Sequence, residues 1–270
     1  MSSPRSNRSW LAPESPDLVW FSGDDVLRFL NDLISQQISD MDDGESRRSF
    51  LLAPNGKLMF MLWVIKDRDR FGLVTEPGRG EELADVLGRY RIRVDVDINP
   101  EKRDVWLVMD GDEGFDMSWP GVPRRLLVGD RPDLPTGSIA DYAALRVGAG
   151  EPAWDVDVDE GTIPHECGLV DVSVDFDKGC YLGQELVARI NSRGGNTPRH
   201  LRLMDADGPV RVGSTITVGD KEVGTVTSAS GSVGLAMVRR EVSVGDEVAI
   251  DGVTGVVKEA GSRSPGPPAR

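Results

Sequence analysis

The octet Lys178-Gly179-Cys180-Tyr181-Leu182-Gly183-Gln184-Glu185 places one of the chain's two cysteines beside a lysine, just ahead of a predicted helix. Cationic side chains and the positive end of a helix dipole both stabilise a thiolate. The thiolate is the form of cysteine that acts as a nucleophile or binds a metal. The octet therefore makes Cys180 the first candidate for chemistry.

A helix is predicted after the octet from apolar residues that recur at one-turn intervals and from the stop signal Gly194-Gly195. On its polar side, Glu185, Arg189 and Arg193 follow one another at intervals of four residues and share one face. A solvated charged surface is the ordinary explanation of such spacing. A ligand-binding face is the alternative.

The charge around this helix is opposite in sign to that of the whole chain. The formal net charge is -14 and the sequence pI is about 4.6, yet residues 178–202 contain five basic side chains and one acidic one. A cationic segment in an acidic protein predicts a small anionic ligand. The acidity elsewhere argues against nucleic acid and anionic membrane surfaces as partners, because both require a broad basic surface.

The octet resembles the signature of the YgfZ family, which comprises folate-binding relatives of the glycine-cleavage T-protein. The resemblance extends over roughly residues 17–258. Outside the octet it rests on residues 18–25, 29–35, 51–57, 146–152, 223–228 and 234–238. The octet is highly specific, whereas each of the other stretches is a weak match when taken alone.

The resemblance implies a protein that binds tetrahydrofolate or a derivative and supports assembly or repair of iron-sulfur clusters. Cys180 would be the essential thiolate, which either ligates iron in a transient iron-sulfur species or exchanges sulfur. The implied partners are iron-sulfur client enzymes or cluster-assembly proteins. Two alternatives remain open: a folate-dependent aminomethyl or methyl transferase of the T-protein type, and a module that only binds folate. Gly148 departs from the T-protein pattern, which has an acidic residue at that place.

The resemblance also suggests which residues contact folate, with Cys180 at the edge of the folate cavity. Glu185 would accept hydrogen bonds from the pterin, for which a carboxylate is a suitable acceptor. Arg189 and Arg193 would pair with the carboxylates of the glutamate tail. The other candidate contacts are Lys178, Tyr181, Gln184 and Arg211. For Tyr181 the alternative is packing in the core, and for Gln184 it is a hydrogen bond to nearby backbone.

No resident metal site is predicted. Imidazole and thiolate groups suit zinc or iron, but the spacing of His165, Cys167 and Cys180 matches no zinc-binding module. Cys167 lies in an apolar context, where a small buried thiol is the commoner explanation.

The predicted fold class is α+β, with a T-protein-like architecture in three parts. A folate-binding module covers residues 17–198 and is discontinuous, formed by 17–45 and 138–198 around an inserted ferredoxin-like subdomain at 46–137. Regular short strands and glycine turns predict a small C-terminal β-barrel at 199–260. The tails at 1–16 and 261–270 are predicted to be disordered.

The sequence also predicts four local elements of secondary structure. Helix is expected over 24–34, with Ser22 as its N-cap, and strands are expected at 92–98 and 171–175. A tight hairpin is expected at Asn55-Gly56, because this dipeptide tolerates positive φ angles.

Cytoplasmic localisation and a monomeric state are also expected. Residues 1–16 lack the apolar run of a secretory signal, and no stretch is long enough to span a bilayer. Two cysteines do not suggest a disulfide framework, so reduced thiols are expected.

Overall fold

The computed structural model describes residues 9–261, which form two β-sheets, a closed β-barrel and five α-helices. The strands before the barrel are β1 (Trp10–Leu11), β2 (Asp17–Ser22), β3 (Ser46–Leu52), β4 (Leu58–Asp67), β5 (Arg70–Thr75), β6 (Asp97–Pro100), β7 (Val105–Met109), β8 (Phe115–Asp116) and β9 (Arg124–Val128). The helices are α1 (Val26–Asn31), α2 (Gly80–Gly88), α3 (Ile139–Gly148), α4 (Val170–Ser173) and α5 (Gln184–Asn191). None of these helices has the length and apolar composition needed to cross a membrane.

The larger sheet has five strands in the order β3-β4-β5-β2-β6, and all its neighbouring strands are antiparallel. Both of its faces are buried, which explains why β2 is apolar at successive positions. Val19 and Phe21 face the helices α1 and α2, whereas Leu18 and Trp20 face the second core. That second core also contains residues of the four-stranded sheet, whose order is β1-β7-β9-β8.

The C-terminal part of the described chain closes into a six-stranded antiparallel barrel in the order β10-β13-β12-β11-β14-β15. Its strands are β10 (Arg199–Ala206), β11 (Thr215–Val218), β12 (Lys221–Ser230), β13 (Val233–Arg239), β14 (Glu247–Ile250) and β15 (Val253–Glu259). Its interior is filled by small and branched apolar side chains such as Ile216, Ala236 and Val257. The predicted small C-terminal barrel is therefore confirmed.

The predicted boundary between residues 45 and 46 does not separate two sheets. Strand β2 pairs with both β5 and β6, so residues on either side of this boundary share the five-stranded sheet. The segment 46–137 in turn contributes strands to two sheets, because β7, β8 and β9 pair with one another and with β1. The arrangement depends on which strands pair, and the paired strands are far apart in the sequence. A local sequence pattern does not specify such pairs.

Part of the predicted N-terminal disorder is wrong. Trp10 and Leu11 form strand β1 against Met109 and Val108, and Leu11 is only 1% exposed. At the other end, Gly261 donates its backbone N–H to the carbonyl of Gly150. The remaining residues of the two predicted tails, 1–8 and 262–270, lie outside the described part of the chain.

The strand predicted at 171–175 is wrong, since α4 occupies Val170–Ser173. The alternating valines could pair only at an open sheet edge, and the outer edge of β3 is already covered. Ile34 forms a bridge with Leu51, and the N–H of Ser35 donates to the carbonyl of Phe50.

Two further element boundaries differ from the predictions. The helix expected over 24–34 is confined to Val26–Asn31, because Ser22 belongs to β2 and Asp25 is the N-cap. The strand expected at 92–98 is replaced by β6, which pairs over four residues with β2. Ile92 is 71% exposed and belongs to no sheet.

The octet and the predicted hairpin meet in the structure. Gly183 adopts a φ of +76° at the N-cap of α5, and a Cβ placed there would lie 2.4 Å from the carbonyl oxygen of Ala53. Gly56 has a φ of +81°, and a Cβ placed there would lie 2.5 Å from the Cβ of Leu186. Each glycine is therefore required both by its backbone conformation and by the close approach of the other segment.

Gly183→Ala is expected to lower the free energy of unfolding by about 2–4 kcal/mol, because it adds a steric clash to a left-handed backbone conformation. Gly179→Ala is the matched control, since nothing lies within 4 Å of a Cβ placed at that position of the same loop. Urea denaturation of both variants measures the difference. Equal stability of the two variants would contradict the close packing of octet and hairpin.

Candidate functional site

A cavity of about 630 Å³ lies between the two sheets, α3 and the segment that follows α3. Strands β3, β4, β5 and β9 contribute to its wall. Its aromatic and ionisable lining includes Arg48, Trp63, Glu76, Arg124, Tyr142 and Trp154. The volume is within the range of about 300–1,000 Å³ found for small-molecule sites.

A buried ion-pair cluster forms part of this wall. Glu151 accepts hydrogen bonds from Arg124 Nη1 at 2.9 Å and from Arg48 Nη2 at 2.7 Å, and Arg124 Nη2 also donates to it. Burial opposes ionisation of Glu151, but the charges of Arg124 and Arg48 outweigh that effect and hold its pKa below the ordinary value. The cluster carries a net positive charge, because one carboxylate faces two guanidinium groups.

Arg48 is held between two aromatic rings. Its guanidinium carbon lies 4.5 Å from the ring centre of Trp63 and 4.4 Å from that of Trp119. Burial lowers the pKa of Arg48 to about 10, with Glu151 acting in the opposite direction, so the group stays charged at neutral pH. Cation–π contact and the ion pair together fix the orientation of this cation.

Glu76 lies at another part of the cavity wall. Thr75 Oγ1 donates to its carboxylate at 2.8 Å, and the guanidinium of Arg79 is 4.0 Å away. Burial raises the pKa of Glu76 above its ordinary value. Arg79 itself lies over the ring of Trp154, at 4.5 Å from the ring centre.

The barrel is connected to the cavity through Arg146. This arginine lines the cavity, forms an ion pair of 2.7 Å with the buried Asp157, and donates to Ser228 of the barrel. Thr227 also donates to Asp157. The register of β12 and β13 shifts between Val226 and Ser228, so Thr227 is the extra residue of a β-bulge. Such a bulge redirects side chains, which here reach out of the barrel.

Lys178, the lysine of the octet, connects the octet to the end of α1 through hydrogen bonds that we call the Lys178 clamp. Lys178 Nζ donates to the backbone carbonyl oxygens of Asn31, Ile34 and Gln36 at 2.8, 2.8 and 2.9 Å. Burial lowers the pKa of Lys178 to about 8. The ammonium group thus supplies hydrogen bonds to carbonyl groups at the end of α1 and in the turn that follows it. Cys180, two residues after Lys178, is exposed at the surface.

Tyr181 and Gln184, close to Cys180 in the octet, both make contacts within the protein. Tyr181 is 8% exposed and belongs to the core between the sheets. Gln184 accepts the backbone N–H of Tyr181 at its Oε1, at 3.1 Å. Both side chains therefore hold the loop that carries the thiol.

The predicted folate-binding residues do not surround the cavity. Glu185 and Arg189 are exposed on α5, and Arg193 is exposed in the turn after it. None of the ion pairs within residues 9–261 includes these three residues. Arg211 is exposed in the loop between β10 and β11. None of these four, nor Lys178, Cys180, Tyr181 or Gln184, lines the cavity. A ligand inside this cavity would therefore contact other residues.

Sequence reasoning missed Arg48, Arg124 and Glu151. A usable signal was present for the two arginines, because Arg48 shares one strand face with Phe50, and Arg124 shares one with Leu126. A charged residue on the buried face of a strand is uncommon and points to a partner. Nothing in the sequence identified Glu151 as that partner.

Cys167 differs from Cys180 in burial, because Cys180 is exposed at the surface. The thiol of Cys167 is fully buried, donates to the carbonyl of Pro164 at 2.9 Å, and has a pKa raised by burial to about 12. Among the residues that the structure describes, no three His, Cys, Asp or Glu side chains are grouped so that they could hold a metal ion.

Comparison with known proteins supports this architecture. A family model described as the CAF17 C-terminal beta-barrel domain matches residues 199–260. The glycine cleavage system aminomethyltransferase T of Bartonella henselae superposes with a TM-score of 0.81 at 16% identity, covering 93% of this chain and 85% of that chain. The predicted α+β fold of the T-protein type is thus confirmed.

Two known proteins are similar to this chain in sequence. The mitochondrial iron-sulfur cluster assembly factor IBA57 of Mus musculus is 33% identical over 149 residues, or 52% of this chain and 38% of that protein. The tRNA-modifying protein YgfZ of Escherichia coli O157:H7 is 24% identical over 216 residues, or 66% of each chain. The match therefore spans well under half of IBA57, and the resemblance to YgfZ and its T-protein relatives is confirmed.

Lys178→Met is expected to lower the free energy of unfolding by about 2–4 kcal/mol, because it leaves three backbone carbonyls without their charged donor. Lys102→Met is the control, since Lys102 is exposed and its ammonium group has no partner among the described residues. Denaturation curves measure the loss. A loss no larger than that of the control would show that the Lys178 clamp contributes nothing.

Glu151→Gln is expected to lower the free energy of unfolding by about 3–5 kcal/mol at pH 7, because two buried guanidinium groups lose their counter-ion. Since the pKa of Glu151 is depressed in the folded protein, its contribution is present above the ordinary value of 4.5 and is lost as the pH falls through the folded-state pKa. The difference from wild type should shrink accordingly in denaturation measured from pH 7 to pH 3. Glu160→Gln at an exposed site is the control, and a pH-independent difference would contradict this account.

Proposed function

We propose that this protein binds a tetrahydrofolate derivative in its central cavity and supports the assembly or repair of iron-sulfur clusters in other enzymes through Cys180. The observation that carries the proposal is the exposure of Cys180 on a loop fixed by Lys178. An exposed thiol on a rigid loop is accessible to a partner protein. The name of the IBA57 relative, an iron-sulfur cluster assembly factor, supports a role of this kind.

The residues of the cavity fit a folate. Trp63 and Trp154 offer aromatic surface to a flat ring, and Glu76 offers a carboxylate to ring N–H donors. Arg48 and Arg124, with their net positive charge against Glu151, suit the carboxylates at the other end of the ligand. When bound, tetrahydrofolate supplies a carrier for one-carbon groups.

The cavity and the thiol have separate tasks in this proposal. The residues of the cavity bind and orient the folate, whereas Cys180 meets an iron-sulfur species or a sulfur donor that a partner carries. The partners are iron-sulfur client enzymes or cluster-assembly proteins, and the protein acts as a monomer in the cytoplasm. The T-protein alternative, a one-carbon transferase, is supported by the shared fold and by relatives named as a putative transferase and an aminomethyltransferase. It requires no role for Cys180.

Cys180→Ser is expected to abolish rescue of an iron-sulfur-dependent enzyme activity in a strain that lacks the native protein. Tetrahydrofolate binding, followed by quenching of tryptophan fluorescence, should change by less than about twofold, because Cys180 does not line the cavity. Cys167→Ala is the matched control, since it removes the other thiol, which is buried. That variant should retain the rescue.

The outcomes separate the two parts of the proposal. Full rescue by Cys180→Ser would contradict the cysteine mechanism. Absence of quenching at saturating tetrahydrofolate would contradict folate binding. Net transfer of a one-carbon group to tetrahydrofolate by both wild type and Cys180→Ser would favour the transferase alternative.

A further inference from the structure

The arginines that line the cavity already have carboxylate partners. The pairs are Arg48 and Arg124 with Glu151, Arg146 with Asp157, and Arg79 with Glu82. Three of these arginines also donate to backbone carbonyl groups, Arg124 to Met117, Arg79 to Met59 and Arg146 to Glu151. The guanidinium groups therefore have little hydrogen-bonding capacity left for the uncharged part of a ligand.

Glu76 differs from the other carboxylate of the cavity wall that is not exposed, Glu151, because it has few partners. Glu76 accepts a hydrogen bond from the hydroxyl of Thr75, and its own backbone N–H also stabilises the carboxylate. No guanidinium within residues 9–261 lies closer to it than 4.0 Å. A carboxylate has about four acceptor positions. Glu76 is half-buried, and burial raises its pKa, as expected for an anion with few partners.

The other carboxylates near the cavity are unsuitable as acceptors for a buried ring. Glu151 already accepts three hydrogen bonds from two guanidinium groups. Glu14 and Asp155 line the cavity but are exposed to solvent. Glu185, which the sequence suggested for this task, is exposed on α5 and lies outside the cavity lining.

Aromatic side chains line the same cavity as Glu76. The guanidinium of Arg79, 4.0 Å from Glu76, covers the ring of Trp154 at 4.5 Å from the ring centre. Trp63, on the neighbouring strand, also lines the cavity. A carboxylate and tryptophan side chains that line one cavity suit a flat heteroaromatic ring that presents adjacent N–H donors, such as the amino group and ring N–H of a 2-amino-4-oxopteridine.

We propose that Glu76 is the specificity-determining residue of the cavity and accepts the exocyclic amino and ring N–H groups of a pteridine. This inference rests on the proposed folate site and assigns the end of the ligand that Glu76 recognises. Arg48 and Arg124 would then bind the carboxylates at the other end of the folate.

The test compares Glu76→Gln with Glu185→Gln, two isosteric changes that each remove one carboxylate. Each variant and the wild type are titrated with three probes: tetrahydrofolate, tetrahydropterin, which has only the pteridine part, and para-aminobenzoylglutamate, which lacks it. Glu76→Gln should weaken binding of the first two by roughly 10- to 100-fold, because a charge-assisted acceptor is lost, and leave binding of the third unchanged. Glu185→Gln should change none of the three.

Each other outcome has a defined meaning. If wild type binds tetrahydrofolate and Glu76→Gln binds it equally well, the role of Glu76 is overturned and the folate site stands. Equal weakening of all three probes also overturns the role, because a structural defect would act on both ends of the ligand. If wild type binds no probe, both proposals fail. Should Glu76→Gln fail to fold, Glu76→Asp, which withdraws the carboxylate by one methylene, gives the same comparison between probes.

Discussion

The ion-pair cluster of Glu151 with Arg48 and Arg124 is the interaction on which the rest of the structure depends. Arg48 belongs to the five-stranded sheet, Arg124 to the four-stranded sheet, and Glu151 to the segment that follows α3. Burying three charges is costly unless each is paired and hydrogen-bonded, and here the tryptophan rings around Arg48 and the carbonyl of Met117 complete the pairing. The cluster therefore fixes the two sheets at the distance that leaves the cavity open. Through Arg146 and Asp157, the same segment also contacts the barrel.

The charged residues of the octet suggested a ligand-binding site, but in the structure most of the octet makes contacts that hold its own loop. Lys178 binds three carbonyl groups, Gly183 contacts the hairpin, and Gln184 accepts a backbone N–H. Most of the motif therefore builds a rigid loop, and Cys180 is its exposed residue. The exposed thiol of Cys180 and the cavity between the sheets are thus two separate places in one molecule, and Cys180 does not line the cavity.

Much of the fold was accessible from the sequence because it is specified locally. The Asn55-Gly56 hairpin, the motif helix and the barrel strands follow from turn residues and periodicity. The misplaced elements, such as the strand expected at 171–175, depend on which sheet edge is free, and a local pattern contains no such information. The site was harder for the same reason. The sequence around Cys180 was enough to identify it as a candidate site residue. Glu151 and Glu76 could be identified only from the side chains that surround them in the fold, which come from distant parts of the sequence.

The central claim is that a folate occupies the cavity between the sheets while Cys180 remains free at the surface. A crystal structure of the protein with bound tetrahydrofolate tests it most directly. The account predicts ligand density between Glu76 and the pair of Arg48 and Arg124, with the thiol of Cys180 still accessible to solvent. Ligand density against Cys180, Glu185 and Arg189, with the cavity empty, would contradict it.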